Sequence, residues 1–153
     1  MNNYVNTQSY SKTPESPFCI MPWVNFSIET IEGDVYPCCK DWSKFSFGNI
    51  NEKTIFEIWN SKAAQQIRYN ILTGNIDKVC RKTCPKRIEG GVGLEKIDEV
   101  RKLGNFGNNP LRVKLDILAK KTKVTATPLL LQAMMTSKCN LLCRMCSINH
   151  KIN

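Results

Sequence analysis

Three cysteines near the C-terminus place the tightest limit on this chain. Cys139, Cys143 and Cys146 stand at C-x3-C-x2-C within Ser137-Lys-Cys139-Asn-Leu-Leu-Cys143-Arg-Met-Cys146. Three thiolates from one short loop can hold three corners of a cubic iron–sulfur cluster and leave the fourth iron open. Clusters that mainly pass electrons are ligated by four cysteines. A structural zinc site also wants four ligands, normally in two paired groups, and the nearby fourth candidate is His150. The other five cysteines lie far upstream, at Cys19, Cys38, Cys39, Cys80 and Cys84.

Eight cysteines without a signal-like start read as metal ligands in a reducing compartment rather than disulfides. The opening Met1-Asn-Asn-Tyr-Val has no basic region followed by an apolar core, and no apolar run is long enough to span a membrane. The expected location is the cytosol. Of the net charge of +9, the stretch from Lys78 to Lys123 carries eight, with thirteen Lys and Arg against five acids. That stretch lacks the interleaved aromatics that stack nucleobases, which argues against nucleic acid and leaves a solvated face or an acidic partner.

Residues 1–17 are polar and read as a flexible leader. Val24, Phe26 and Ile28 alternate with Asn25, Ser27 and Glu29, the period of a half-buried strand. Glu32-Gly33-Asp34 is a hairpin turn, and the return strand Val35-Tyr36-Pro37 delivers Cys38 and Cys39. The hairpin thus draws Cys19 and Cys38 towards one end of a ribbon. Asn51 or Thr54 can cap a short helix through Trp59. Ser61 can cap a second, over 62–72, with Gly74 as its stop. Gly90-Gly91-Val-Gly93 is a loop without the spacing of a phosphate cradle. Leu94, Ile97, Val100 and Leu103 have helical spacing, and residues 104–110 form a turn-rich linker. Leu111, Val113, Leu115 and Ile117 alternate with polar residues and predict an amphipathic strand. Leu129 to Met135 is nearly all apolar, as in a buried parallel strand, and runs straight into the Cys139 loop.

The Cys139–Cys146 stretch, with its Cys-Asn-Leu opening and its Arg-Met before the last cysteine, resembles the cluster loop of radical S-adenosylmethionine (radical SAM) enzymes. The resemblance implies a 4Fe–4S cluster on Cys139, Cys143 and Cys146 whose open iron binds SAM, with Met145 against the adenine. The complete enzyme would cleave SAM reductively to a 5′-deoxyadenosyl radical and abstract hydrogen from a substrate the sequence does not specify. Cys19, Gly33, Cys38, Gly48-Asn49-Ile50, Ile58-Trp59-Asn60-Ser61 and Cys80-x3-Cys84, in that order, resemble the SPASM/twitch module, an auxiliary iron–sulfur domain of such enzymes. This implies one auxiliary 4Fe–4S cluster on Cys19, Cys38, Cys80 and Cys84, for substrate binding or electron relay, with Cys39 as the adjacent spare. Neighbouring strand residues face opposite sides, so one of Cys38 and Cys39 joins the set and the sequence leaves open which. On ligand type alone four soft thiolates suit iron–sulfur or zinc. A stand-alone electron-transfer module and a zinc-stabilised interaction domain are therefore the alternatives.

The expected fold is α+β: a twitch-like module at 18–88 built from a β-hairpin and short helices around the cluster, a helix and linker at 89–110, and the first strands of an incomplete (β/α) barrel at 111–153. The glycine-rich SAM motif and the later barrel strands are absent, so the chain reads as the N-terminal part of a larger enzyme or a truncated form, inactive alone, with no catalytic residue assigned. The implied partners are SAM, an electron donor such as a flavodoxin or ferredoxin, the unidentified substrate, and a separate chain if one supplies the rest of the barrel.

Overall fold

The computed structural model describes residues 17–134 and 136. Its centre is the expected hairpin, β2 (Asn25–Ile28) against β3 (Asp34–Tyr36), with Ser27 opposite Tyr36. Gly33 closes the turn at φ +88°. A methyl there would lie 2.8 Å from Ile50 Cγ1, so both backbone sign and space demand glycine. The short strand β4 (Gly48–Asn49) extends the sheet beyond β3, and β6 (Leu130–Ala133) runs parallel to β2 on the other side, giving the order β4-β3-β2-β6.

A second, two-stranded sheet pairs β1 (Phe18–Cys19) in parallel with β5 (Gly91–Val92). Gly91 has φ +102°, and a methyl on it would overlap the Phe18 carbonyl oxygen. The glycine-rich stretch that reads as a mere loop is therefore the partner of the strand that carries Cys19.

Capping chemistry sets the main helices. In α2 (Ile55–Trp59) the Thr54 hydroxyl accepts the Glu57 N–H, and the Glu57 carboxylate accepts the Thr54 N–H at 2.9 Å. Thr54 rather than Asn51 is thus the cap. Helix α3 (Lys62–Leu72) starts at Ser61, whose hydroxyl accepts the Ala64 N–H, and Gly74 follows its end at φ +75°. Three more helices complete the chain around a short first one: α1 (Met21–Val24), α4 (Pro85–Ile88), α5 (Glu95–Arg101) and α6 (Asn109–Leu118).

Helix α6 corrects the strand expected at 111–117. An alternation of seven residues also places every second apolar pair four apart. Val113 and Ile117 share the buried face, while Leu111 and Leu115 share the exposed one. Pro110 sits in the first turn, where a missing N–H costs nothing. Asp116, buried on the same helix, accepts N–H bonds from Thr125 (2.6 Å) and Ala126 (3.0 Å) and pairs with Lys121 at 3.0 Å. A strand would have turned that carboxylate away from Val113 and Ile117.

The expected strand near 129–135 exists as β6 and is parallel, but it is an edge rather than a buried strand: Leu129 is buried, whereas Leu131 is 64% exposed. Among the described residues there is no barrel. The strand expected to open one is instead the outermost member of the hairpin sheet.

One buried cluster runs from Ile20 to Leu129, and its polar hub is Arg68, which is 0% exposed. The guanidinium lies 4.6 Å from the Trp59 ring centre and 5.6 Å from that of Phe47. Nε donates to the Pro22 carbonyl and Nη1 to the Thr122 carbonyl, both at 2.9 Å. Burial pulls the Arg68 pKa down and Asp116 opposes the shift; the group stays charged at neutral pH. Arg68→Ala would orphan two carbonyls and leave a void, so we expect a loss of about 3 kcal/mol or more, read from urea unfolding. A loss under about 1 kcal/mol would show that the hub carries little.

Candidate metal centre

Four thiols reach one place from three separate segments. Cys19 ends β1. Cys38 follows β3, and the buried Asn25 side chain holds that end of the hairpin by donating to the Pro37 carbonyl at 3.1 Å. Cys80 follows a 3-10 turn at Ile76–Lys78, with its N–H on the Ile76 carbonyl at 2.8 Å. A bridge to Ser43 and the bonds Lys44 N–H to Val79 O and Arg81 N–H to Trp42 O fasten the Cys80 loop to the loop after Cys39. Cys84 closes a turn on the Arg81 carbonyl and immediately precedes Pro85, the first residue of α4.

Cys19, Cys38 and Cys80 line one small cavity of about 30 Å³ together with apolar residues that include Pro22, Pro37 and Ile67. Cys84 is buried and acts electrostatically on all three of the others. Cys39 also acts electrostatically on Cys38, but it does not line the cavity, and its thiol lies 4.0 Å from an Asp41 oxygen. The structure therefore brings Cys19, Cys38, Cys80 and Cys84 together and leaves Cys39 at the margin. Cys139, Cys143, Met145 and Cys146 lie outside the described residues. A larger cavity, about 510 Å³, lies beyond Ile67 and Val79, which line both spaces.

Burial dominates the chemistry of these thiols. It pushes the Cys19 pKa up to about 12; the Met21 N–H opposes the shift, and Cys80 and Cys84 add to it. Burial, then the neighbouring Cys19, Cys80 and Cys84, push Cys38 well above the ordinary thiol range. Cys80 rises to about 11 through burial and Cys84, with Arg87 and Lys44 opposing. All three are thiols at neutral pH, so any metal must displace protons to bind them.

Four sulfur donors suit an iron–sulfur cluster or zinc by ligand type. A single zinc at about 2.3 Å from each sulfur would draw the sulfurs to within about 3.8 Å of one another. Among the described residues no three His, Cys, Asp or Glu side chains are placed to hold a single metal ion. A cubic cluster binds each thiolate through a different iron and keeps the sulfurs further apart. Four cysteine thiolates are its usual ligands.

The sequence pattern missed two supports of this site. Gly91 holds the Cys19 strand, and the Ser43–Cys80 bridge joins the two outer loops. The doubled glycine was the visible signal for the first; nothing in the sequence marked the second.

A thiol whose folded pKa is raised stabilises the fold below its unfolded value and loses that contribution as pH rises through the folded one. The metal-free protein should keep this contribution up to about pH 9 and lose it between there and about pH 12. Urea midpoints against pH check this. The Cys38→Ser/Cys80→Ser variant should fall less steeply across the window, and an equal fall would contradict the assignment.

The match to known families agrees with this geometry. The family model for the SPASM iron–sulfur cluster-binding domain matches residues 19–85, the span from the first of the gathered thiols to the residue after the last. No curated protein and no solved structure matches the chain. Residues 19–85 are thus a SPASM/twitch domain, the auxiliary iron–sulfur module of radical SAM proteins.

Proposed function

We propose that Cys19, Cys38, Cys80 and Cys84 hold one auxiliary 4Fe–4S cluster, and that this module serves a radical SAM enzyme. The observation that carries the reading is the match of residues 19–85 to an iron–sulfur cluster-binding domain whose span holds Cys19, Cys38 and Cys80 around one small cavity, with Cys84 beside them. Cys139, Cys143 and Cys146 would hold the second 4Fe–4S cluster, with SAM on its open iron and Met145 against the adenine. That cluster, when bound, supplies the electron that cleaves SAM and so the hydrogen abstraction from a substrate not yet known.

The chain's own residues do the positioning. Strand β1, the end of the hairpin and the Cys80–Cys84 loop present the sulfurs. Pro22, Pro37 and Ile67 keep water from them. The module would extend over 18–88, with a helix and linker at 89–110 and the start of the radical SAM domain at 111–153. A one-electron donor such as a flavodoxin or ferredoxin would supply the electron, and a separate chain could complete the barrel. No described helix is long and apolar enough to cross a membrane, in keeping with a cytosolic setting.

Iron and labile sulfide per chain after anaerobic reconstitution test this, with electron paramagnetic resonance of the reduced sample with and without SAM. About eight irons per chain and a signal altered by SAM are the expected result. Cys38→Ser should remove about half the iron, whereas Cys39→Ser should leave it unchanged. About four irons without a response to SAM would leave the auxiliary site standing and overturn the SAM-binding assignment. Zinc without sulfide would overturn the reading as a whole.

A further inference from the structure

The two loops that carry the outer thiols are rich in basic residues. Lys44 lies five residues after Cys39, and Arg81 and Lys82 lie between Cys80 and Cys84. The loops are fastened together by the Ser43–Cys80 bridge and by the Lys44 and Arg81 N–H bonds, so these cations share one neighbourhood. All three are exposed, and none forms an ion pair among the described residues. The surrounding Lys40, Lys86 and Arg87 are each matched by a carboxylate, on Asp41, Glu89 and Asp77. Lys44 Nζ also donates to the Asp77 carbonyl at 2.6 Å.

Two large apolar side chains belong to the same pair of loops. Ile88, at the end of α4, is 73% exposed, and Phe45, next to Lys44, is 56% exposed. The Asp77 carboxylate also acts on Lys44 and Lys82, but basic residues outnumber acids across these loops, and an exposed apolar side chain beside such an excess suits contact with an acidic protein. Phosphate binding would leave Ile88 without a partner. An electron crosses protein efficiently only over short distances, and Cys80 is half-buried within this surface. Complexes between redox proteins are small, under about 1,200 Å² of buried surface, and are guided by opposite charge.

We infer that the surface formed by Lys44, Arg81, Lys82 and Ile88 is the docking site for an acidic one-electron carrier protein. The inference rests on the cluster reading above for its function, since one electron would leave the carrier and enter the cluster with no bond made or broken. The docking itself does not require the cluster. Carboxylates on the carrier meet Arg81 and Lys82, and an apolar residue among them meets Ile88.

The test is calorimetric titration of the full 153-residue chain, reconstituted anaerobically, with an oxidised, acidic plant-type [2Fe–2S] ferredoxin as the probe. Binding should weaken as salt rises. Arg81→Glu/Lys82→Glu should weaken it about tenfold or more. Arg112→Glu/Lys123→Glu, two exposed positions on and after α6, changes the net charge equally and should stay within about twofold. Ile88→Ser should weaken binding about threefold at high salt, where the charges are screened. Equal losses in both double variants, or no binding at all, would overturn the inference. Tighter binding to random-sequence duplex DNA, lost in the Arg81/Lys82 variant, would assign the surface to nucleic acid instead. Iron and sulfide measured on the same samples report the cluster separately, so a failed cluster and a failed docking surface give different results.

Discussion

A guanidinium held out of water between two aromatic rings ties the distant parts of this chain together. Arg68 receives the Trp59 and Phe47 faces and gives its hydrogens to carbonyls at Pro22 and Thr122. A charge in that position is costly unless its donors are used, and the cost itself selects the arrangement. Residues 22, 47, 59 and 122 meet it at α3, using Nε and Nη1 while Nη2 is left without a hydrogen-bond partner. Trp59 and Asn60 reinforce the join by bonding the Ala126 and Val124 backbone, and the Trp23 indole donates to the Lys121 carbonyl at 3.1 Å. The stretch from Lys121 to Ala126 is therefore held by side chains of the SPASM domain, although it lies well beyond residues 19–85.

The thiol site depends on that join. Pro22 both accepts from Arg68 and lines the cavity of Cys19, Cys38 and Cys80. Ile67, next to Arg68 on α3, lines it as well. The cluster-binding half and the structural half of the domain thus meet along two consecutive residues of one helix. The outer half of the site, at Cys80 and Cys84, hangs from loops rather than from a sheet. Its charge is therefore free to serve a partner without disturbing the core.

Much of this was legible in the sequence because local rules and tertiary structure agree. Gly33 and the alternation of Phe26 and Ile28 point to the hairpin, and Ser61 and Gly74 mark the ends of α3. The SPASM domain was legible from the order of its landmarks, Cys19, Gly33, Cys38, Gly48 and Cys80, which fall within the span that the family model matches. The helix at 109–118 was not legible. Leu111, Val113, Leu115 and Ile117 fit a period of two, yet 113 with 117 fits a helix equally, and the deciding fact is the burial of Asp116 against Thr125 and Ala126. A carboxylate that folds onto a loop nine residues later leaves no local mark. The edge position of β6 was hidden for a similar reason: an apolar run reports what a segment could bury, not which neighbour has room beside it.

The pairing of β2 with β6 also has a consequence in time. Ser27 and Gln132 are neighbours in the sheet and 105 residues apart in sequence. At ribosomal rates the chain between them takes roughly 5–20 s to make. The hairpin is made at the start of that interval and Cys80 and Cys84 about midway through it, whereas the strand that covers the β2 edge comes only at its end. Until then the edge of β2 opposite β3 has no partner strand. All the cysteines of residues 19–85 are therefore on the chain before β6 is available to close the sheet.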